Sequence, residues 1–149
     1  MKKNKLNELL LSNSKLLFIG VGNALLSDDR TGIYICENIQ QRRNIQTLIV
    51  ESSIEKFVGK INSIDHDVLI LTDCTDFGEK AGFWDIVEVK DIMDATINTH
   101  TISLKRVSEF FNEKVFLLGV QPENTKFGEE FSDKVQKAAT EILKLVNTY

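Results

Sequence analysis

At 149 residues, with 42% hydrophobic and 27% charged residues, eight glycines and one proline, the chain has the composition of a single folded domain. A domain of this length buries roughly 68–70% of its unfolded surface. The net charge of −4 excludes the one-sided surplus of Lys and Arg that nucleic-acid phosphates require, and the short cluster Lys2, Lys3, Lys5 does not change that. No stretch approaches the roughly 20 apolar residues that span a bilayer, so neither nucleic-acid binding nor membrane insertion is expected.

In chain order, Leu6, Leu9, Leu10 and Leu11 follow the basic residues. Asn7 and Glu8 interrupt them, and Ser12-Asn13-Ser14-Lys15 follows without a small-residue cleavage site, so a short amphipathic helix is expected and not a secretory signal. Leu16–Val21 reads as the first strand. Ile33, Ile35, Cys36 and Ile39 make Gly32–Ile39 a helix, and Thr47–Val50 is the second strand. Ile54, Phe57, Val58, Ile61 and Ile64 recur at helical steps. Strands are then expected at Val68–Leu71, Phe83–Val89 and Val115–Val120, and helices at Leu104–Phe111 and Phe131–Val146. Runs as continuously apolar as Leu16–Val21 must be covered on both faces. The expected fold is therefore α/β: a three-layer sandwich with a mostly parallel, five-stranded twisted sheet and helices on both faces. Phe83–Val89 is an expected antiparallel edge, because only a short loop separates it from the Val68 strand. No linker divides residues 1–149, which are read as one domain.

Cys36 and Cys74 show no metal or redox spacing and read as buried, reduced thiols of a cytoplasmic protein. In a parallel sheet, ligands gather outside the carboxyl ends of the strands. Those ends carry Gly20-Val21-Gly22-Asn23, Glu51-Ser52-Ser53, Asp73 and Gln121-Pro122-Glu123. The first loop lacks the third glycine of a dinucleotide fingerprint, having Leu25 in its place. Asp28 and Asp29 precede a helix: either caps it, or one caps while the other faces the crevice. Asp73 follows an apolar strand, and its carboxylate either bonds loop amides or serves the site. His66, between Asp65 and Asp67, reads as a solvated loop residue; His100 lies just before a helix. Asp29, Asp73 and His100 together offer two carboxylates and one imidazole, donors suited to a divalent transition ion with positions left open. No Gly-x-Ser-x-Gly elbow supports serine catalysis, and Cys74 would need His100 beside it as a base.

In order and spacing, Gly-Val-Gly-Asn-Ala-Leu-Leu-Ser-Asp-Asp at 20–29, Leu-Ile-Leu-Thr-Asp-Cys-Thr-Asp-Phe-Gly at 69–78, Asn-Thr-His at 98–100 and Phe-Leu-Leu-Gly-Val-Gln-Pro at 116–122 resemble the hydrogenase maturation protease family. The likeness is greatest to the branch serving formate-linked, energy-converting nickel-iron hydrogenases. The resemblance implies an endopeptidase that removes a C-terminal peptide from the nickel-loaded precursor of a hydrogenase large subunit. It also implies nickel as the recognition element, supplied by that precursor and bound by Asp29, Asp73 and His100. Asp29 and Asp73 are the candidates for a catalytic role, with the attacking group unassigned, and Asn23 and Asp28 are candidates for contact with substrate. Arg30 and Thr31 depart from the small residues common in the family, and Glu51-Ser52-Ser53 departs from its usual Asp-Gly-Gly. The alternative is a maturation chaperone that senses nickel without cutting.

Overall fold

The computed structural model describes residues 2–92, 98–99, 103–128 and 130–148. Its strands are β1 (Leu16–Val21), β2 (Ile45–Glu51), β3 (Val68–Asp76), β4 (Trp84–Glu88), the two-residue β5 (Asn98–Thr99) and β6 (Lys114–Val120). Its helices are α1 (Lys2–Leu11), α2 (Thr31–Asn38), α3 (Val58–Ser63), α4 (Val89–Ile92), α5 (Leu104–Phe110) and α6 (Asp133–Thr148). The main sheet runs β2-β1-β3-β6-β4, while β5 pairs only with the end of β3. β2, β1, β3 and β6 are mutually parallel. β4 is the antiparallel edge, bonded to β6. The short β3–β4 loop does not make a hairpin, because β6 occupies the place beside β3 in register from Val68↔Lys114 to Cys74↔Val120.

Alternation along the strands makes two apolar layers. Leu16, Phe18, Ile70, Phe116 and Leu118 face Leu6 and Leu10 of α1, Ile35 and Cys36 of α2, and Ala139 and Ile142 of α6. Leu17, Ile19, Leu69, Leu71 and Leu117 face Ile61 of α3, Ile92 of α4 and Val107 of α5. Each such fully buried side chain contributes about 1.5–3 kcal/mol, and the interleaving fixes register because a one-residue slip would exchange the side chains of the two packed layers.

Element boundaries differ from the sequence reading at several places. β3 continues through Thr72-Asp73-Cys74-Thr75-Asp76, so Asp73 lies inside the strand opposite Gly119, whereas the apolar run stops at Leu71. The helical pattern at 54–64 splits into a 3₁₀ turn, Ile54–Phe57, and α3. Val89, expected in a strand, begins α4.

His66 is not a solvated loop residue. Its side chain is 6% exposed, with Nδ1 bonded to Ile64 O at 2.7 Å and Nε2 to the Glu113 carboxylate. Flanking aspartates made the segment look exposed, but the partner comes from before β6. At the same end of the sheet, Asn147 Oδ1 accepts from Gln40 N at 2.9 Å and Asn147 Nδ2 donates to Asn38 O at 3.0 Å, while Arg42 donates to Val146 O. These bonds pin the end of α6 to the turn after α2. None of the described helices is long and apolar enough to cross a membrane.

Both cysteines are free and buried. Burial pushes the Cys36 thiol up to about 12, so at pH 8 its thiolate fraction falls roughly three orders of magnitude below that of an ordinary cysteine. In the folded protein neither thiol should react with a disulfide reagent within minutes, and both should react after unfolding in guanidinium. A native-state thiol titre above zero would show that one of them is accessible.

Candidate functional site

The site is assembled where β1 and β3 end. After β1 the chain turns back at Gly22, whose φ of +143° disfavours an L side chain; a Cβ there would lie 2.0 Å from the Asp29 carbonyl oxygen. The space this glycine frees is filled by the protein's own backbone, the Asp29 carbonyl, and is not left for a ligand. Gly22 N–H donates to Glu51 O at 3.1 Å, tying the loop to the end of β2, where Glu51 itself adopts φ +55°.

The loop then forms a 3₁₀ turn, Ser27–Arg30, which carries both acids and leads into α2. Neither acid caps α2 through its side chain. Asp28, fully buried, turns its carboxylate toward the chain after β6. Oδ2 accepts from Glu123 N and Asn124 N at 2.9 Å and from Ser132 Oγ at 3.0 Å, and Oδ1 accepts from Ser132 N at 2.8 Å. Four bonds engage both oxygens, so Asp28, named above as a candidate for contact with substrate, clamps Glu123, Asn124 and Ser132 to the turn. It also accounts for α6 starting at Asp133 and not at Phe131, since Ser132 is held by Asp28.

Asp29 points elsewhere. Its side chain is 5% exposed, and Oδ2 accepts from Asn23 N at 3.1 Å. Asn23 in turn folds its own Oδ1 onto Leu25 N at 2.9 Å, so this exposed residue shapes the loop rim. Asp73, in β3, is wholly buried. Its Oδ1 accepts from Cys74 N at 2.8 Å, and among the described residues Oδ2 has no hydrogen-bond partner. Burial first, and then the charge of Asp29, raise the Asp73 carboxyl well above the usual carboxylate range. The pair is thus two adjoining buried carboxylates, one oxygen of which has no donor among the described residues.

What brings the pair together is Gly32, in the first turn of α2. A Cβ on it would lie 1.9 Å from Thr72 O and 2.5 Å from Val21 O, so the helix rests directly on the backbones of β1 and β3. Asp29 and Asp73 are thus carried by segments in backbone contact.

The third expected ligand, His100, lies outside the described residues. The two residues before it, Asn98 and Thr99, run antiparallel to the end of β3, with Thr75↔Thr99 and Asp76↔Asn98, which brings that segment to the same end of the sheet. Among the described residues no group of three His, Cys, Asp or Glu side chains converges as a metal site. Burial, then Asp73, then Asp29 raise the Cys74 thiol far above the ordinary value, the reverse of the activation a catalytic cysteine needs.

Sequence reasoning missed the 123–132 loop as a partner of the first motif. Ser132, immediately before α6, carries no signal for this contact; Asp28 finds it only in the folded chain. Arg30, singled out in the sequence only as a departure from the family's small residues, stacks its guanidinium over Phe131 at 4.6 Å, beside Tyr34, which meets the same ring edge-on at 5.0 Å.

The HycI hydrogenase maturation protease family model matches residues 33–148. A protein of Methanocaldococcus jannaschii assigned as a hydrogenase maturation protease is 26% identical over 160 residues, spanning 98% of this chain and 92% of its own. Among solved structures, the [NiFe] hydrogenase maturation protease HycI from Thermococcus kodakarensis KOD1 superposes with a TM-score of 0.83 at 24% identity, over 97% of each chain. The endopeptidase HycI from Escherichia coli superposes with a TM-score of 0.72 at 23% identity, over 90% of each. These likenesses are in fold, over nearly the full length.

Proposed function

The chain belongs to the hydrogenase maturation protease family, and from that premise we propose that it is the endopeptidase that trims the C-terminus of a hydrogenase large-subunit precursor, with nickel carried by that precursor as the element it recognises. The observation that carries the nickel reading is the Asp29–Asp73 pair. Two buried carboxylates adjoin at the carboxyl end of the sheet, and Asp73 Oδ2 has no protein donor among the described residues. Hard oxygen donors fit a divalent ion, and His100 is proposed as the imidazole that joins them. A cation arriving with the precursor would satisfy the oxygen that has no donor among the described residues, so a precursor without it gains nothing from these two residues. Once bound there, nickel would supply charge to polarise a nearby carbonyl.

The chain's own residues then have distinct tasks. Asp28 holds the 123–132 loop in place and leaves Asp29 turned toward Asp73. Gly22 and Asn23 fix the rim of the loop. Asp29 or Asp73 can accept a proton from an attacking water, provided that carboxylate is not fully engaged with the cation. Operation in the cytoplasm, where such a precursor would be assembled, follows from the same reading.

The test is the intact mass of a nickel-loaded precursor before and after incubation with this protein, beside a nickel-free precursor. Loss of one C-terminal peptide from the loaded form alone is the expected result. Nickel-dependent association with no change in mass would replace the processing reading with a chaperone that senses the metal, and equal cutting of both precursors would remove nickel from the recognition step.

A further inference from the structure

β2 is an edge strand: β1 pairs with one side of it, and among the described residues no strand joins the other. In a parallel pair each residue sends its N–H and C=O to the same side, and the side alternates along the strand. Ile45 exchanges both groups with Arg42, at 3.1 and 2.9 Å, and Thr47 N–H donates to Gln41 Oε1 at 3.2 Å. Ile45 and Thr47 therefore face away from β1, and Ile49 is the next residue to do so. The turn carrying Gln41 and Arg42 covers the first half of this edge. No comparable cap reaches Ile49 among the described residues, and Thr47–Val50 contains no Lys or Pro of the kind that ordinarily blocks edge pairing.

The open half of the edge is the half beside the acid pair. Next to Ile49 lies a groove of about 530 Å³ whose lining includes Arg30, Ile33, Tyr34, Glu37 and Glu51. Arg30 adjoins Asp29 in sequence, and Glu51 O holds the N–H of Gly22, whose missing side chain makes room for the Asp29 carbonyl. A strand laid along β2 at Ile49 would bond to its N–H and C=O, drop alternate side chains into the groove, and continue past Glu51 toward Asp29. The groove carries one cation and two acids, so backbone pairing and not net charge is the main attraction.

We infer that this open half of the β2 edge is the track on which the extended C-terminal segment of the precursor binds, by strand addition at Ile49. The inference rests on the processing reading above and adds where the peptide lies. Unpaired backbone groups on an edge select an extended peptide, and an endopeptidase must hold its scissile segment extended to reach the peptide bond.

The experiment compares wild type with Ile49→Pro on the nickel-loaded precursor. Proline removes the outward N–H and crowds the edge, and an outward position on an edge strand tolerates it. The expected result is a variant that still melts cooperatively, its midpoint lowered by the lost packing of the Ile49 side chain on the core, with kcat/KM lowered about tenfold or more, the equivalent of one lost hydrogen bond plus a clash. A folded Ile49→Pro that processes at the wild-type rate would overturn strand addition while leaving the processing reading intact. Should the variant unfold, amide hydrogen exchange on wild type decides. Slowed exchange at Ile49 on adding the loaded precursor supports the track, and unchanged exchange there rejects it. A wild-type chain that leaves the loaded precursor uncut would sink both readings together.

Discussion

Asp73→Asn is expected to raise the stability of the metal-free protein and to abolish processing. Asp73 is wholly buried, one of its carboxylate oxygens has no donor among the described residues, and Asp29 is the like charge beside it. An ionised group in that setting loses its hydration and recovers, among the described residues, only the bond from Cys74 N–H. Asparagine keeps the oxygen that accepts from Cys74 N–H, fills nearly the same volume and removes the charge. The gain should be about 1–3 kcal/mol, by analogy with other replacements of buried charge, and should raise the melting temperature by roughly 3–10 °C for a domain of this size. The measurement is a calorimetric melt of both proteins in chelator, followed by the intact-mass assay on the loaded precursor. A melting temperature below that of wild type would mean that the Asp73 charge is balanced inside the chain. Stability and activity should thus move in opposite directions at one position, as they do where a site holds a strained group for use.

Gly32→Ala is expected to destabilise the protein by more than about 3 kcal/mol, the upper range for a single substitution. Helix propensity alone gives the opposite sign, since alanine is favoured over glycine in a helix by about 1 kcal/mol. The contact distances decide against propensity. A Cβ would stand 1.9 Å from Thr72 O and 2.5 Å from Val21 O, and both are backbone atoms of central strands that cannot rotate away. The only relief is to lift α2 off the sheet, which breaks the packing of Ile35 and Cys36 in the core and separates Asp29 from Asp73. Urea unfolding, monitored by circular dichroism, should show the midpoint falling sharply or no cooperative transition at all. A midpoint within 0.5 kcal/mol of wild type, a margin typical of neutral surface changes, would mean that the close approach of α2 to β3 is not maintained.

The layers of this fold are legible in the sequence because β1, β3 and β6 are apolar on both faces, and only a sheet between two helical layers satisfies that pattern. The partner of β4 is not legible. Pairing with β6 depends on a strand about thirty residues later taking the place beside β3, and local spacing says nothing of it. The same limit applies within the site. Asp29 and Asp73 stand out as acids near strand ends, yet the different fates of Asp28 and Asp29 follow from the 3₁₀ turn that points them apart, and two adjacent identical letters cannot encode a direction. His66 shows the converse. Its neighbours Asp65 and Asp67 suggested water, while Glu113, distant in the chain, completes a part-buried pair. Periodicity reports which face of an element is apolar; it does not report which remote polar group will meet a given side chain.

The pinning of the α6 terminus to Asn38, Gln40 and Arg42 has a practical side for every assay above. Helix α6 begins beside the Asp28 clamp and runs for 16 residues, which carries its end about 24 Å along its axis. A purification tag, fluorophore or surface anchor appended to that end is therefore presented on the far side of the molecule from Asp29 and Asp73. Enzyme immobilised through its C-terminus keeps its crevice open to a large folded precursor, whereas a fusion placed near the 123–132 loop would stand in the way of the same approach.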